Sequence, residues 1–350
     1  MRIGSAKESY SHDEALFDSR TQRLWLAALA LLLVAFPFIA SQYWLYLACL
    51  VAINVAAATG LNILTGYTGQ VSLGQAAFMG VGAYAVAILE QRLGTPVLLN
   101  LAGGGAAAML VGLVVGIPSL RVKGLYLAIA TIAASFILHF IFANWTSLTG
   151  GTAGITLPPA RILGLTLDTE FRFYWLVMPI TVLMLTGAAN LFRTRVGRAF
   201  IAIRDRDISA EVLGIPLLRY KLLSFGLSSF YAGVAGGLWA YFFRSVTAES
   251  FPLLMSIFFL AAIIVGGMGS ILGGILGAVF MTLVPEVLKL MVGWLPLSAD
   301  AANHVAVMLA PVRTIVFGAL IVAFLVFEPH GLAEIWRRIR RFFHLWPFGT

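Results

Sequence analysis

Ten apolar runs, each about 16–24 residues long, make up most of this 350-residue sequence. They cover residues 24–40, 43–65, 72–90, 96–119, 124–143, 173–192, 222–243, 253–268, 271–292 and 306–327. Crossing a hydrocarbon core of about 30 Å takes roughly 20 helical residues. Within lipid, only helices and closed barrels satisfy every backbone hydrogen bond, and uninterrupted runs of this length fit helices. We therefore expect an all-α protein, a polytopic transmembrane bundle of about ten helices.

The composition excludes a water-soluble domain of this size. Hydrophobic residues make up 60% of the chain and charged residues only 11%, whereas soluble proteins carry about 45–50% apolar and about 25% charged residues. Most of the surface must therefore face lipid rather than water.

The distribution of Lys and Arg predicts the orientation of the bundle. The net charge of +8 would suggest nucleic-acid binding in a soluble protein, but in a membrane protein loop cations mainly set topology. With the N-terminus inside, ten crossings place only these cations outside: Arg92, Arg161, Arg172, Arg244, Lys289 and Arg313. This bias accounts for the positive charge, so nucleic-acid binding is disfavoured and both termini are expected in the cytoplasm.

The same topology predicts three segments along the chain. Residues 1–23 form a cytoplasmic N-terminal tail that lacks the pattern of a cleaved secretory signal. Residues 24–328 form the transmembrane domain, with a long exterior loop at about 144–172 and a long interior loop at about 193–221. Residues 329–350 form a basic cytoplasmic tail.

Sequence signals of catalysis or cofactor binding are absent. The chain has no GxxxxGK[ST] phosphate loop, no HExxH, no GxSxG and no His/Asp/Glu cluster at metal-ligand spacing. Its single cysteine, Cys49, excludes an internal disulfide framework and a Cys-based zinc site. We expect neither an enzyme nor a resident cofactor.

A glycine-rich polar segment between two apolar runs is the first functional candidate. It extends from Gly60 to Tyr84. Non-helical backbone at membrane depth survives only where protein or a water-filled cavity surrounds it, so such a segment indicates a translocation path. The candidate path residues are Asn62, Thr65, Gly66, Tyr67, Gly69, Gln70, Ser72 and Gln75. The alternative is a tight turn with small-residue helix packing.

The interior loop predicts a short helix directed at the cytoplasm. Asp205 or Asp207 can cap its N-terminus, and Gly214 followed by Pro216 ends it. An apolar residue recurs at three-to-four spacing at Ile208, Val212 and Ile215. Two helical turns are not stable alone in water, so the helix packs into a partner's groove, onto its own membrane domain or at the lipid interface.

Other small or acidic residues within the runs have structural interpretations. Gly269, Gly273 and Gly277 repeat every four residues and predict close helix packing, as do Gly103–Gly105. Glu286 is the only acid that lies clearly within a run, and we expect it to pair with Lys289 one turn further on; the alternative is a proton relay.

Five stretches resemble the permease subunits of branched-chain amino-acid ABC importers, specifically the LivM-type member of the paired permeases. They are Gly60–Tyr84, Arg121–Thr131, Leu148–Ile155, Gly197–Leu222 and Val265–Ser270, and Glu328–Leu332 follows the last run. The resemblance implies the ABC importer permease fold in a bacterial inner membrane. It also implies a homologous second permease, two cytoplasmic ATPase subunits and a periplasmic substrate-binding protein.

The resemblance further implies roles for the two long loops. Glu211 and Gly214 match the motif that couples such permeases to their ATPases, and the candidate coupling residues are Asp205, Asp207, Ile208, Glu211, Val212 and Gly214. The candidate docking residues for the binding protein are Thr149, Gly150, Gly151 and Thr152.

The expected function is ATP-driven import of branched-chain or other hydrophobic amino acids. The sequence departs from its relatives at Gln75, where they often have His, and in a tail containing Glu328 and His330. The same family serves urea, short amides and aromatic acids, so these substrates stay open. A second hypothesis, from a different functional class, is a self-contained secondary transporter, which requires intramembrane ionisable residues. A membrane enzyme is the third hypothesis.

Overall fold

A computed structural model describes residues 20–119, 124–162, 164–293 and 331–345, with short stretches between 315 and 328. The described chain is a helical bundle, as predicted. Its helices are α1 (Arg20–Ile39), α2 (Gln42–Leu61), α3 (Gln75–Leu93), α4 (Val97–Ser119), α5 (Leu125–Asn144), α6 (Thr146–Thr149), α7 (Glu170–Arg193), α8 (Arg195–Asp205), α9 (Asp207–Val212), α10 (Leu217–Phe243), α11 (Leu253–Gly266), α12 (Ile271–Gly293) and α13 (Leu332–Leu345).

Nine of the predicted apolar runs correspond to α1–α5, α7 and α10–α12. The tenth, 306–327, begins outside the described residues, and the described residues between 315 and 327 are helical. Six helical segments of the described chain are long and apolar enough to cross a membrane. They are Gln42–Gly66, Val97–Pro118, Tyr126–Asn144, Glu170–Arg193, Leu217–Phe243 and Ala248–Gly266.

The chain divides after Ala48 into two units. The first contains α1, with Pro37 inside it, and the beginning of α2. The second contains the rest of α2 and every candidate functional segment.

Glycines bring α3, α4 and α10 into direct backbone contact at the centre of the second unit. A Cβ on Gly82 of α3 would overlap the backbone of Gly233 in α10, and a Cβ on Gly236 would overlap the carbonyl of Met79. A Cβ on Gly104 of α4 would lie 2.8 Å from the carbonyl oxygen of Gly82. Such close approach is possible only without side chains. Most of α3 is therefore buried by other parts of the protein. Because little of α3 can contact lipid, it does not need a strongly apolar surface.

The predicted glycine packing is confirmed for α11 and α12. A Cβ on Gly277 would overlap the carbonyl of Ala262, and one on Gly273 would overlap that of Gly267. Gly269 has a different role, because it lies in the turn between the two helices with φ +75°. Packing by Gly104 and Gly105 against α3 and α10 is likewise confirmed.

The long loop between α5 and α7 contains two small antiparallel ribbons in place of irregular chain. Strand β1 (Ile155–Thr156) pairs with β4 (Ser245–Val246), with Ile155 opposite Val246. Strand β2 (Ala160–Ile162) pairs with β3 (Leu165–Leu167). The β1–β4 ribbon ties the loop to the end of α10.

Contacts among the connections define two ends of the bundle. The backbone at Gly66 and the α11–α12 turn meet the end of α8, and we call this the α8–α9 end. The α5–α7 loop meets residues 244–246, which follow α10, at what we call the β1–β4 end.

Candidate functional site

The predicted short helix is present as α9, but its N-terminus differs from the prediction. Arg206, with an extended backbone, precedes the helix, and its side chain makes no capping hydrogen bond. The prediction that Asp205 or Asp207 caps the helix is wrong, because Asp205 ends α8 and Asp207 already lies in the first turn of α9. The Asp207 carboxylate instead lies 3.6 Å from the Lys221 ammonium, which ties α9 to α10.

The C-terminus of α9 is closed by a Schellman motif. The amide of Gly214 donates to the carbonyl of Glu211 at 2.9 Å, and that of Ile215 donates to the carbonyl of Ala210 at 3.0 Å. Gly214 has φ +84°, a conformation that glycine adopts without steric cost. The sequence-based end at Gly214 and Pro216 is therefore confirmed.

Three apolar side chains project from α9 and its end into open space. Ile208, Val212 and Leu213 are 71%, 83% and 79% exposed. Only Ala210 of the helix is buried, at 2%. Contact with the described residues therefore leaves the apolar tip of α9 uncovered, which favours a partner's groove over a helix lying on its own domain.

The glycine-rich segment after α2 is mostly helical. A π-helical turn, Asn62–Gly66, extends α2, helix continues through Thr68, and the chain is non-helical only over 69–74. Gly69, with φ +72°, ends the helix, and the amide of Gln70 donates back to Leu64 at 3.1 Å. The break in the helix therefore covers only six residues, and it lies at the α8–α9 end of the bundle.

The polar side chains of this segment are bonded within the chain. Of the eight predicted path residues all but Gly69 are buried. The hydroxyl of Thr65 donates to the carbonyl of Gln70 at 3.0 Å, and the amide of Gln70 donates to the hydroxyl of Ser224 at 2.8 Å. Ser72 accepts from the amide of Gly74, and the Gln75 side chain donates to the carbonyl of Ala57 at 2.7 Å.

Asn62 joins the segment to the α11–α12 turn. Its Nδ2 donates to the carbonyl of Ser270 at 2.8 Å, and its Oδ1 accepts from the amide of Gly269 at 3.0 Å. Both polar atoms of the amide are therefore engaged with one short stretch of backbone. The segment in this conformation is a tightly bonded joint between α2, α3 and the α11–α12 turn.

Tyr67, just beyond the apolar span that ends at Gly66, stacks on Phe192 of α7. The ring centroids are 3.4 Å apart and the planes differ by 11°. Burial raises the pKa of the Tyr67 hydroxyl above its usual range, and the hydrogen bond with the Ile271 backbone and the nearby Arg204 charge offset only part of this effect. Tyr67 is therefore a neutral packing residue at physiological pH.

Arg204, in the last turn of α8, makes a contact with the glycine-rich segment that its sequence context does not predict. Its Nη1 donates to the carbonyl of Gly66 at 3.0 Å, and its Nε donates to Asp205 at 3.3 Å. A cleft of about 230 Å³ lies beside it, lined by residues from 68–70, 124, 127, 203–207 and 221. In the sequence Arg204 is one of seven cations of the interior loop, and nothing in its spacing separates it from those that mark topology.

The four predicted docking residues divide into two kinds. Thr149 is buried, and its hydroxyl donates to the carbonyls of Phe142 and Trp145. Gly151 is also buried, whereas Gly150 and Thr152 are exposed. Only the latter two are placed to meet another protein in this conformation.

Two acids of the spanning helices have surroundings that differ from expectation. Glu286 is half-buried, and the side chain of Lys289 lies outside the described residues, so their pairing stays a prediction. Glu286 is also not the only acid in a run. Glu90, in the last turn of α3, accepts hydrogen bonds from Tyr241 at 2.6 Å and from Asn100 at 2.7 Å. The prediction missed Glu90 because it ends its run.

Among the described residues, no three His, Cys, Asp or Glu side chains are grouped so that they could hold a metal ion. Cys49 is a buried free thiol.

Comparison with known proteins gives one consistent family. The family model described as "Branched-chain amino acid transport system / permease component" matches residues 43–325. The high-affinity branched-chain amino acid transport system permease protein LivM of Escherichia coli is 32% identical over 340 residues, which is 90% of this chain and 76% of that protein. No solved structure matches the chain.

Two further relatives show the breadth of the similarity. The probable branched-chain amino acid transport permease protein LivH of Methanocaldococcus jannaschii is 27% identical, covering 82% of this chain and 90% of that protein. The autoinducer 2 import system permease protein LsrC of an Enterobacter species is 28% identical, covering 64% of this chain and 65% of that protein.

Proposed function

The chain belongs to the branched-chain amino acid transport permease family, and from this premise we propose that it is the membrane-spanning subunit of an ATP-binding cassette importer for branched-chain or other hydrophobic amino acids. Its similarity to LivM supports this substrate class. The chain supplies the passage, and separate ATPase subunits supply the energy.

The observation that carries the proposal is the apolar tip of α9. Ile208, Val212 and Leu213 are exposed on a helix of only six residues that is fixed at both ends. Burying one such side chain in a groove contributes about 1.5–3 kcal/mol, and an amphipathic helix in a groove is a recurrent mode of recognition. The ATPase subunits provide the groove, and Glu211, with Asp205 and Asp207, flanks the contact.

The orientation of the bundle follows from this assignment. With α9 in the cytoplasm, residues 1–23 and 329–350 lie on the cytoplasmic side and residues 24–328 span the inner membrane. The 144–172 loop then faces the periplasm, where Gly150 and Thr152 meet the binding protein while Thr149 and Gly151 hold the loop in shape. The cation distribution supports the same orientation.

The remaining partner is a second permease. A LivH-type relative also matches this chain over most of its length, which supports a pair of homologous permeases.

The translocation path is bordered by Asn62, Thr65, Gly66, Tyr67, Gly69, Gln70, Ser72 and Gln75. Because most of their polar atoms are bonded within the chain, we assign them the joint that moves as the path opens rather than a fixed substrate pocket.

The test is co-purification of the ATPase subunits with permease variants. Val212→Asp places a charge on the exposed tip without touching the buried Ala210, so the permease should fold and lose its ATPase subunits. Leu165→Asp is the matched control, because Leu165 is 67% exposed on the β2–β3 ribbon. A Val212→Asp permease that keeps its ATPase subunits at the wild-type ratio would refute the proposal.

A further inference from the structure

Arg204 connects α9, the helix that we propose contacts the ATPase subunits, to the joint around Gly66 that borders the translocation path. It lies three residues before Asp207, the first residue of α9, and its guanidinium reaches the carbonyl of Gly66. The neighbouring bond from its Nε to Asp205 fixes the direction of the guanidinium. One side chain thus joins the cytoplasmic helix pair to the end of α2.

Two glycines with positive φ make room for this side chain. A Cβ on Gly69 would lie 3.2 Å from Cγ of Arg204, and a Cβ on Gly269 would overlap its Nη1. Gly69 follows the π-helical turn and Gly269 lies in the α11–α12 turn. The aliphatic part of the Arg204 side chain therefore lies against the backbone at Gly69, and its guanidinium lies against the backbone at Gly269.

Asn62 ties these two connections to each other. Because its amide bonds to Gly269 and Ser270, a displacement of Gly66 also displaces the α11–α12 turn. We propose that Arg204 is a positioning residue that transmits movement of α9 to the Gly66 joint and the Gly269 turn, so that its loss uncouples ATP hydrolysis from transport. This inference rests on the proposed function and extends it to a residue outside the ATPase contact.

The alternative connection through Lys221 is weaker. Lys221 pairs with Asp207 and so links α9 to α10, and its backbone carbonyl accepts from the side chain of Gln70 at 3.4 Å. Among the described bonds, however, its ammonium contacts neither the π-helical turn nor the α11–α12 turn. A flexible ammonium at 3.6 Å also fixes direction less well than a planar guanidinium with two directed bonds. Arg204 is therefore the side chain to test.

The experiment uses the full assembly in proteoliposomes with saturating binding protein. It measures the number of substrate molecules imported per ATP hydrolysed. For Arg204→Gln we expect a fall of about tenfold in this ratio, within the range typical of coupling between two sites, with the ATPase subunits still bound. Arg198→Gln is the control, because Arg198 lies on the same helix and its Nη1 contacts only the Arg193 carbonyl among the described bonds.

Three outcomes distinguish a failure of the proposed role of Arg204 from a failure of the proposed importer function. Absence of ATP-driven uptake by the wild-type assembly would refute the proposed function itself. A wild-type ratio for Arg204→Gln, or loss of its ATPase subunits, would overturn only the role of Arg204.

A second measurement needs no variant and so does not depend on the folding of Arg204→Gln. In the wild-type assembly, a non-hydrolysable ATP analogue should alter amide hydrogen exchange in residues 69–74 and 267–270 together with α9. A change confined to α9 would overturn the inference.

Discussion

Replacement of Gly214 tests how much the backbone conformation at the end of α9 contributes to binding of the ATPase subunits. No atom of the described residues lies within 4 Å of the position that a Cβ would occupy at Gly214, so Ala introduces no clash. The cost comes only from φ +84°, which an L-residue adopts at about 1–2 kcal/mol. That energy corresponds to a factor of about 5–30 in the ratio of closed to open Schellman motif.

The assay is the affinity of the ATPase subunits for the permease in lipid nanodiscs. Gly214→Ala should weaken binding, by about 30-fold at most, because the apolar tip is presented correctly only in the closed fraction. Gly214→Asn should weaken it less, since Asn tolerates the left-handed region better than Ala. Equal affinity for all three proteins would refute the reasoning, and so would Ala binding more tightly than Asn.

Three other substitutions test the joint, the helix core and the periplasmic loop. Asn62→Asp should destabilise the permease by about 1–3 kcal/mol, because it leaves the carbonyl of Ser270 without a donor. Thermal unfolding in detergent measures this change, and Asn144→Asp is the control because Asn144 is exposed. Gly236→Ala should lower thermal stability by about 1–3 kcal/mol because its Cβ overlaps a backbone carbonyl, whereas Gly318→Ala, with open space around it, should not. Thr152→Trp should lower binding-protein affinity about tenfold while basal ATP hydrolysis stays at the wild-type rate; unchanged affinity would remove Thr152 from the docking surface.

Helices and their packing could be predicted from the sequence because both depend on local composition. Apolar runs of spanning length gave nine of the described helices, and the four-residue glycine repeat gave the contact between α11 and α12. The end of α9 was equally predictable, since Gly214 before Ile215 and Pro216 is a local signal. Each of these features is encoded within a few turns of chain.

The features that were missed depend on contacts between distant segments. Arg204 and Gly66 are 138 residues apart in the sequence. The sequence around a loop cation does not identify the residue to which it bonds. The sequence predicts Asp205 or Asp207 as the cap of α9, but the Asp207 carboxylate pairs with Lys221, which only the fold brings near. The short non-helical stretch at 69–74 likewise reflects the π-helical turn that Asn62 holds against the α11–α12 turn.

ATP dependence of uptake tests the central claim most directly. The permease pair should be reconstituted with its ATPase subunits, with ATP inside the vesicles and binding protein with labelled leucine outside. The account predicts uptake only when ATP, ATPase subunits and binding protein are all present, and none by this chain alone under an ion gradient. Uptake of leucine by this chain alone, driven by such a gradient, would contradict it.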